Sequence, residues 1–147
     1  RVIAKRVDRL GTVLDGDLAT LHKNGATFTV EDPAQEQPRA DALELSPSGP
    51  MPGPDMMVPS GEPLQIELEA LAELDLKGTE FNDMPYGMAS GERKPLRMPV
   101  HDASAGMVED GLQVRFALPK GGYATSVLRE LLLETIWFGK DRRPRRR

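Results

Sequence analysis

Between Glu31 and Gly61, seven of 31 residues are proline and three are glycine. Each proline fixes φ and withholds a backbone N–H, so no long helix can cross this stretch, and any strand in it must do without donors. The segment is expected to hold at most a short helical turn near Pro33–Ala42 and a short strand at Leu43–Leu45. The composition of Pro47–Gly61 reads as a connecting segment. A chain interrupted in this way has to assemble its core from elements on either side. Its 147 residues suffice for one core of ordinary size.

Upstream, Val13, Leu18, Leu21, Phe28 and Val30 are apolar positions in two β-rich runs, with "KNG" at Lys23–Gly25 between them. Asn-Gly at such a place predicts a hairpin turn. The first ten residues fit either a helix end or a strand. Downstream, "EPLQIELEALAEL" places Leu64, Leu68 and Leu71 on one stripe and Ile66 and Leu74 on another, with Ser60 as N-cap and Pro63 in the first turn. This predicts an amphipathic helix with its glutamates in water. Residues 78–95 read as loop. Two strands follow, near 96–104 and 111–118, joined around Gly106 and Asp110-Gly111, and a helix from Tyr123 to Trp137 closes the order. Hairpin, loop, helix, hairpin, helix is an α+β arrangement: β-hairpins packed with two helices.

Composition removes several kinds of chemistry. There are no cysteines and only two histidines, His22 and His101, so thiolate zinc sites, disulfides and histidine-built metal centres are not expected. Phosphate-binding glycine loops and the Gly-x-Ser-x-Gly elbow do not occur. No cofactor or metal is therefore expected. The longest apolar run, "LRELLLETIWF", is broken by charge and too short to span a bilayer. The N-terminal run lacks the apolar stretch of a signal peptide, and a cytoplasmic protein with no membrane partner is expected. Arg1 in place of Met suggests a fragment or a processed product. Charge is uneven: residues 129–147 carry a net +4 and the remainder a net −8. A basic tail on an acidic body is a common footprint of polyanion binding.

The richest stretch is "LPKGGYATSVLREL", Leu118–Leu131. Here a strand meets a helix through Pro119, Lys120, Gly121 and Gly122, and Tyr123 stands in the first turn. Lys120 and the N–H groups around Gly121 and Gly122 could receive a phosphate at the helix start, or the glycines could simply supply positive φ. Tyr123 could stack on a base, or it could staple the helix onto the strands. By helical spacing Arg129 shares a face with Thr125 and Ser126. Arg93, Lys94 and Arg97 form a basic cluster ahead of a strand, suited to phosphate contact. His101-Asp102 reads as structural, because neighbouring strand residues face opposite ways.

Three segments together resemble the TruD family of tRNA pseudouridine synthases. "GDLATLHKNGATFTVEDPAQEQPRADALELSPSGPMPG" is similar to the family's insertion domain. "GERKPLRMPVHD" and "FALPKGGYATSVLREL" are similar to its C-terminal strand pair and closing strand-to-helix motif. The resemblance implies a cofactor-free isomerase that converts a uridine in the D-arm of tRNA to pseudouridine. It further implies a catalytic aspartate on a core domain, with the insertion domain forming the other wall of an RNA cleft. On this reading residues 1–92 belong to the insertion domain, 93–137 close the catalytic core and 138–147 are a basic tail, all within a larger pseudouridine synthase fold. The implied RNA contacts are Lys120, Gly121, Gly122, Tyr123, Arg129, Arg93 and Arg97.

The family's aspartate motif, Gly-x-Lys-Asp-x-x-Ala-x-Thr-x-Gln, has one partial counterpart here, Lys140-Asp141-Arg142. Around it Phe138, Pro144 and Arg146 occupy the Gly, Ala and Thr positions. Asp141 is the catalytic candidate on that basis. The expected partners are tRNA and either an N-terminal catalytic half or a second copy. A non-catalytic RNA-binding module is the alternative.

Overall fold

A computed structural model describes residues 1–77, 81 and 90–132, and its contacts separate two units, Arg1–Pro99 and Val100 onward. In the first, α1 (Val2–Lys5) and a single 3-10 turn (Val7–Arg9) precede β1 (Leu18–Leu21) and β2 (Thr27–Thr29). Then come α2 (Pro33–Asp41), β3 (Leu45–Met51), α3 (Gly61–Ala72) and β4 (Glu92–Pro95). The strands form one antiparallel sheet in the order β2-β1-β3-β4. The hairpin predicted around Lys23–Gly25 is present, with Ala19 opposite Phe28. In the second unit, β5 (His101–Val108) and β6 (Gly111–Ala117) pair with each other and α4 (Ala124–Leu132) follows.

The proline-rich stretch is where sequence and structure part. Residues 45–51, "LSPSGPM", form an interior strand of the sheet, not the end of a strand followed by a connector. The hydrogen-bond alternation explains how. His22 N–H donates to Glu44 O at 2.9 Å, so even-numbered residues of β3 face β1. Leu96 N–H donates to Pro47 O at 2.8 Å, so odd-numbered residues face β4. The ladder to β1 ends at Pro47 and the ladder to β4 begins at Ser48. Pro47 thus turns its nitrogen towards β4 before that ladder starts, and Pro50 turns its own towards β1 after that ladder has ended. Neither ladder loses a donor.

The segment after β3 is pinned as well. Asp55 N–H donates to Ser90 O at 2.8 Å, and a Cβ on Gly53 would overlap the backbone nitrogen of Gly91, so the two backbones touch where only glycine fits.

Val13, Ala19, Val30, Ala40 and Leu45 make the core, with Leu21 and Phe28 packed on its edge. Two ion pairs are buried with it. Arg6 grips Asp17 through Nη1–Oδ1 at 2.7 Å and Nη2–Oδ2 at 3.0 Å, both side chains only 2% exposed. The same guanidinium donates to Thr12 O, and Asp17 accepts from Leu14 N–H. The N-terminal turns are thereby tied to the start of β1.

Helix ends show how local chemistry sets boundaries. The Asp32 carboxylate caps α2 by accepting from Ala34 and Gln35 N–H. At the other end Leu43 N–H donates to Ala40 O and Glu44 N–H to Arg39 O, closing a Schellman motif with Leu43 at φ +56° where glycine is usual. That closure takes Leu43 and Glu44 out of the strand expected there. Ser60 is the N-cap residue of α3 as predicted, but its side chain makes no capping bond. The helix buries Pro63, Ile66, Glu67 and Ala70, while Leu68 is 43% exposed. The inward stripe therefore runs one position off the leucine stripe and carries a glutamate. Residues 92–95, expected as loop, pair with β3. The strand expected at 96–104 starts instead at His101, because Leu96 is held by Pro47 O.

Candidate nucleic-acid interface

The corner between β6 and α4 is a four-residue turn. Gly122 N–H donates to Pro119 O at 3.0 Å and Gly121 has φ +89°, which is the positive φ a type II turn requires at its third residue. A Cβ at Gly121 would meet nothing within 4 Å, so backbone conformation alone selects glycine there. Lys120 sits at the tip of this turn and is exposed. Tyr123 follows immediately, and its carbonyl accepts from Ser126 N–H at 3.0 Å to open the helix. At 74% exposure, Tyr123 is not folded onto the strands as a staple. The turn therefore sets one exposed cation and one exposed aromatic residue side by side in sequence at the start of the helix. Arg129 stands exposed in the last turn of the same helix, at its far end from the corner.

Arg93 and Arg97 are engaged within the first unit. The Arg93 side chain is 3% exposed and meets Glu67 in a two-pronged pair, Nη2–Oε1 at 2.5 Å and Nη1–Oε2 at 3.1 Å. It also donates to Ser48 O at 2.9 Å and Ser48 Oγ at 3.1 Å. These are the contacts of an internal strut joining α3 to β3 and β4. A phosphate contact would need the guanidinium at the surface. Arg97 donates from Nη2 to Ala40 O at 2.7 Å, at the C-terminal end of α2, where a cation is favoured by the helix dipole. Its guanidinium lies across Gly11, where a Cβ would come within 2.5 Å of Nη1. Both arginines serve the first unit internally. The one signal that could have placed Arg93 is Glu67, four positions from Pro63 and three from Ala70 on the buried side of α3. Asp141, Trp137 and the basic tail lie outside the described residues.

The surface of the first unit is also locally neutralised. Lys5 meets Glu69 at 3.2 Å and Glu73 at 2.8 Å, Arg39 meets Glu36 at 2.6 Å, and Lys94 meets Glu92 at 2.8 Å. Arg9 is bonded to Glu62 and Arg1 lies near Glu73. The Glu73 carboxyl is held below its ordinary value by the hydrogen bond from Lys5, and the Lys5 amine is raised by the bonds to Glu73 and Glu69. A mainly apolar cavity of about 210 Å³ lies between residues 50–58 and α3, lined by Pro50, Met56, Val58, Leu64 and Phe81. The Glu67 carboxylate at its wall is already engaged by Arg93. Among the described residues no group of three or more His, Asp or Glu side chains is placed to hold a metal. No helix among them is long and apolar enough to cross a membrane.

A family profile described as tRNA pseudouridine synthase D (TruD) matches residues 1–131, nearly all of the chain and all of the corner. The chain belongs to the TruD family. It is 49% identical over 132 residues to the tRNA pseudouridine synthase D of Geobacter metallireducens, covering 89% of this chain and 32% of that protein. A Thermus thermophilus protein of the same name is 41% identical over 120 residues, covering 82% of this chain and 32% of its own length. The fold matches a crystal structure of a putative TruD from Methanosarcina mazei with a TM-score of 0.69 at 26% identity, over 88% of this chain and 34% of that one. The chain thus spans about a third of the length of these TruD relatives.

Proposed function

We propose that this chain forms part of a cofactor-free tRNA pseudouridine synthase acting on a D-arm uridine. The carrying observation is that the match to tRNA pseudouridine synthase D runs through the corner at Lys120–Tyr123, where the ring and cation are solvent-facing. In the reaction a carboxylate assists cleavage of the glycosidic bond, the base rotates, and it rejoins the ribose through carbon. The base must first leave the stack. An exposed aromatic residue next to an exposed cation suits that step: Tyr123 stacks on the extruded base while Lys120 holds a flanking phosphate. Arg129 and the basic tail add affinity for the polyanion.

The catalytic aspartate belongs to sequence outside the described residues, and the working enzyme needs that catalytic half as its partner. We assign residues up to Pro99 to the insertion domain and those from Val100 to the closing elements of the core, with the cytoplasm as the site of action. The first assignment extends past residue 92 because β4 pairs with β3.

The test is pseudouridine formation on an unmodified tRNA transcript by the chain alone, by Asp141→Asn, and by the chain joined to a family N-terminal half with and without Tyr123→Ala. Activity only in the joined protein, reduced by roughly tenfold or more in Tyr123→Ala, is expected from the loss of a base-stacking ring. Activity of the chain alone that Asp141→Asn abolishes would place catalysis in the tail and overturn the reading. Silence in every arm would leave a non-catalytic RNA-binding module.

A further inference from the structure

Three described non-glycine residues have positive φ: Leu43 at +56°, Asp75 at +56° and Asp102 at +50°. Two have an evident cause. Leu43 closes α2, and Asp75 closes α3 in the same manner, with Leu76 N–H donating to Leu71 O and Asp75 N–H to Ala72 O. Asp102 ends no helix. It lies within a strand, where a left-handed residue is costly unless something requires it.

The register shows what Asp102 does. His101 stands opposite Ala117 and Ser104 opposite Arg115, so three steps along β5 match two along β6. This is a one-residue bulge. Residues directly opposite in an antiparallel pair share a face. His101 therefore shares the face of Ala117, Arg115 and Gln113, with Ser104 and Gly106. The half-buried Val114 and Phe116 mark the other face. In a regular strand, counting back from Ser104 would turn His101 to the side of Phe116. The bulge moves it outward. Alternation is interrupted only within the bulge, between His101 and Ser104.

The resulting face is exposed: its paired positions carry His101, Ser104, Gln113 and Arg115, with Val108 at the far end, and none of them is an acid. Arg115 and His101 make no ion pair or hydrogen bond among the described residues, whereas Arg1, Lys5, Arg9, Arg39 and Lys94 of the first unit all lie against glutamates. Gly106 and Ala117 leave the backbone approachable. His101 stands opposite Ala117, the last residue of β6 before the chain enters the Lys120 turn. Covering it with a surface that brings no anion would strip Arg115 of water without compensation, whereas a sugar-phosphate backbone supplies the anion.

We infer that the outward face of the β5–β6 hairpin, with His101, Ser104, Gln113 and Arg115, is a contact surface for the RNA sugar-phosphate backbone, and that the bulge at Asp102 places His101 on it. This rests on the reading that the chain binds tRNA.

The experiment is binding of the full chain to an unmodified tRNA transcript by fluorescence anisotropy over a series of KCl concentrations. Arg115→Ala should weaken binding roughly 5- to 10-fold at low salt and reduce the salt slope by about one, while Arg115→Lys should keep the slope. His101→Ala should weaken binding about 2- to 3-fold, and deleting Asp102 should match it, because the regular register turns His101 inward. Asp102→Gly retains the bulge and should bind as wild type, which separates presentation of His101 from a folding defect. Lys120→Ala monitors the corner independently. If Lys120→Ala weakens binding while Arg115→Ala and His101→Ala do not, the hairpin face is not the contact and the inference falls alone. If wild-type chain does not bind tRNA, the underlying reading falls and takes this inference with it. Loss of affinity in Arg115→Ala with an unchanged salt slope would also overturn it.

Discussion

In the first unit Leu18, Ala19, Val30 and Leu45 are at most 1% exposed, and two arginine–carboxylate pairs are sealed in beside them. In the second, none of the described residues is buried and β5 is exposed along its whole length. The first unit pairs its buried carboxylates internally, leaving only the Nε atoms of Arg6 and Arg97 buried without a partner among the described residues, and holds Lys5 and Lys94 against glutamates at its surface. The second leaves strand edges, Arg115, Lys120 and the Tyr123 ring open. A two-stranded sheet by itself is marginal in water, and the described contacts of the second unit add no buried core to it. One part of the chain is buried and internally paired, and the other leaves its charged and aromatic side chains exposed.

The largest test of this contrast is Glu67→Ala. Leaving Arg93 buried without its carboxylate should lower the stability of the first unit by about 3–5 kcal/mol. Urea unfolding with amide exchange resolved by residue would show that loss at β1 and β3 and none at β5 and β6. A change below about 1 kcal/mol would mean that the pair behaves like a solvated one. Next comes Leu45→Ala, expected to cost about 2–5 kcal/mol, against under about 1 kcal/mol for Val114→Ala on the half-buried side of β6. Equal losses would dissolve the distinction between the units.

Leu43→Gly should raise stability by about 1 kcal/mol by relieving the left-handed leucine at the end of α2, read as a higher urea midpoint at unchanged slope. The smallest effect concerns Lys5 and Glu73. The lowered Glu73 carboxyl contributes stability above its ordinary value of 4.5 that is lost as pH falls through its folded value. The raised Lys5 contributes below 10.5 and loses its contribution as pH rises through its folded value. Lys5→Gln should flatten both flanks slightly, and added salt should do the same in wild type.

How far the sequence was readable follows the same divide. Local signals succeeded: Asn24-Gly25 marked a hairpin, Ser60 and Pro63 marked a helix start, and Gly121-Gly122 marked the corner with Lys120 and Tyr123. Non-local consequences did not show. Whether a proline is tolerated in β3 depends on which neighbour its nitrogen faces, and that is fixed by ladders to β1 and β4 that no window of sequence contains. Arg93 and Arg97 looked like surface charge because their partners, Glu67 and Ala40 O, lie 26 and 57 positions away. The bulge at Asp102 is a register event, visible only once β6 is laid beside β5.

The Arg6–Asp17 pair also says where this module can be cut or joined. Because the cation arrives from the first turns and the anion from the head of β1, a boundary placed after Arg6 would strand a carboxylate in the interior. Residues 1–12 are thus part of what any recombination, fusion or transplantation of this unit must carry along, although they contribute no strand to its sheet.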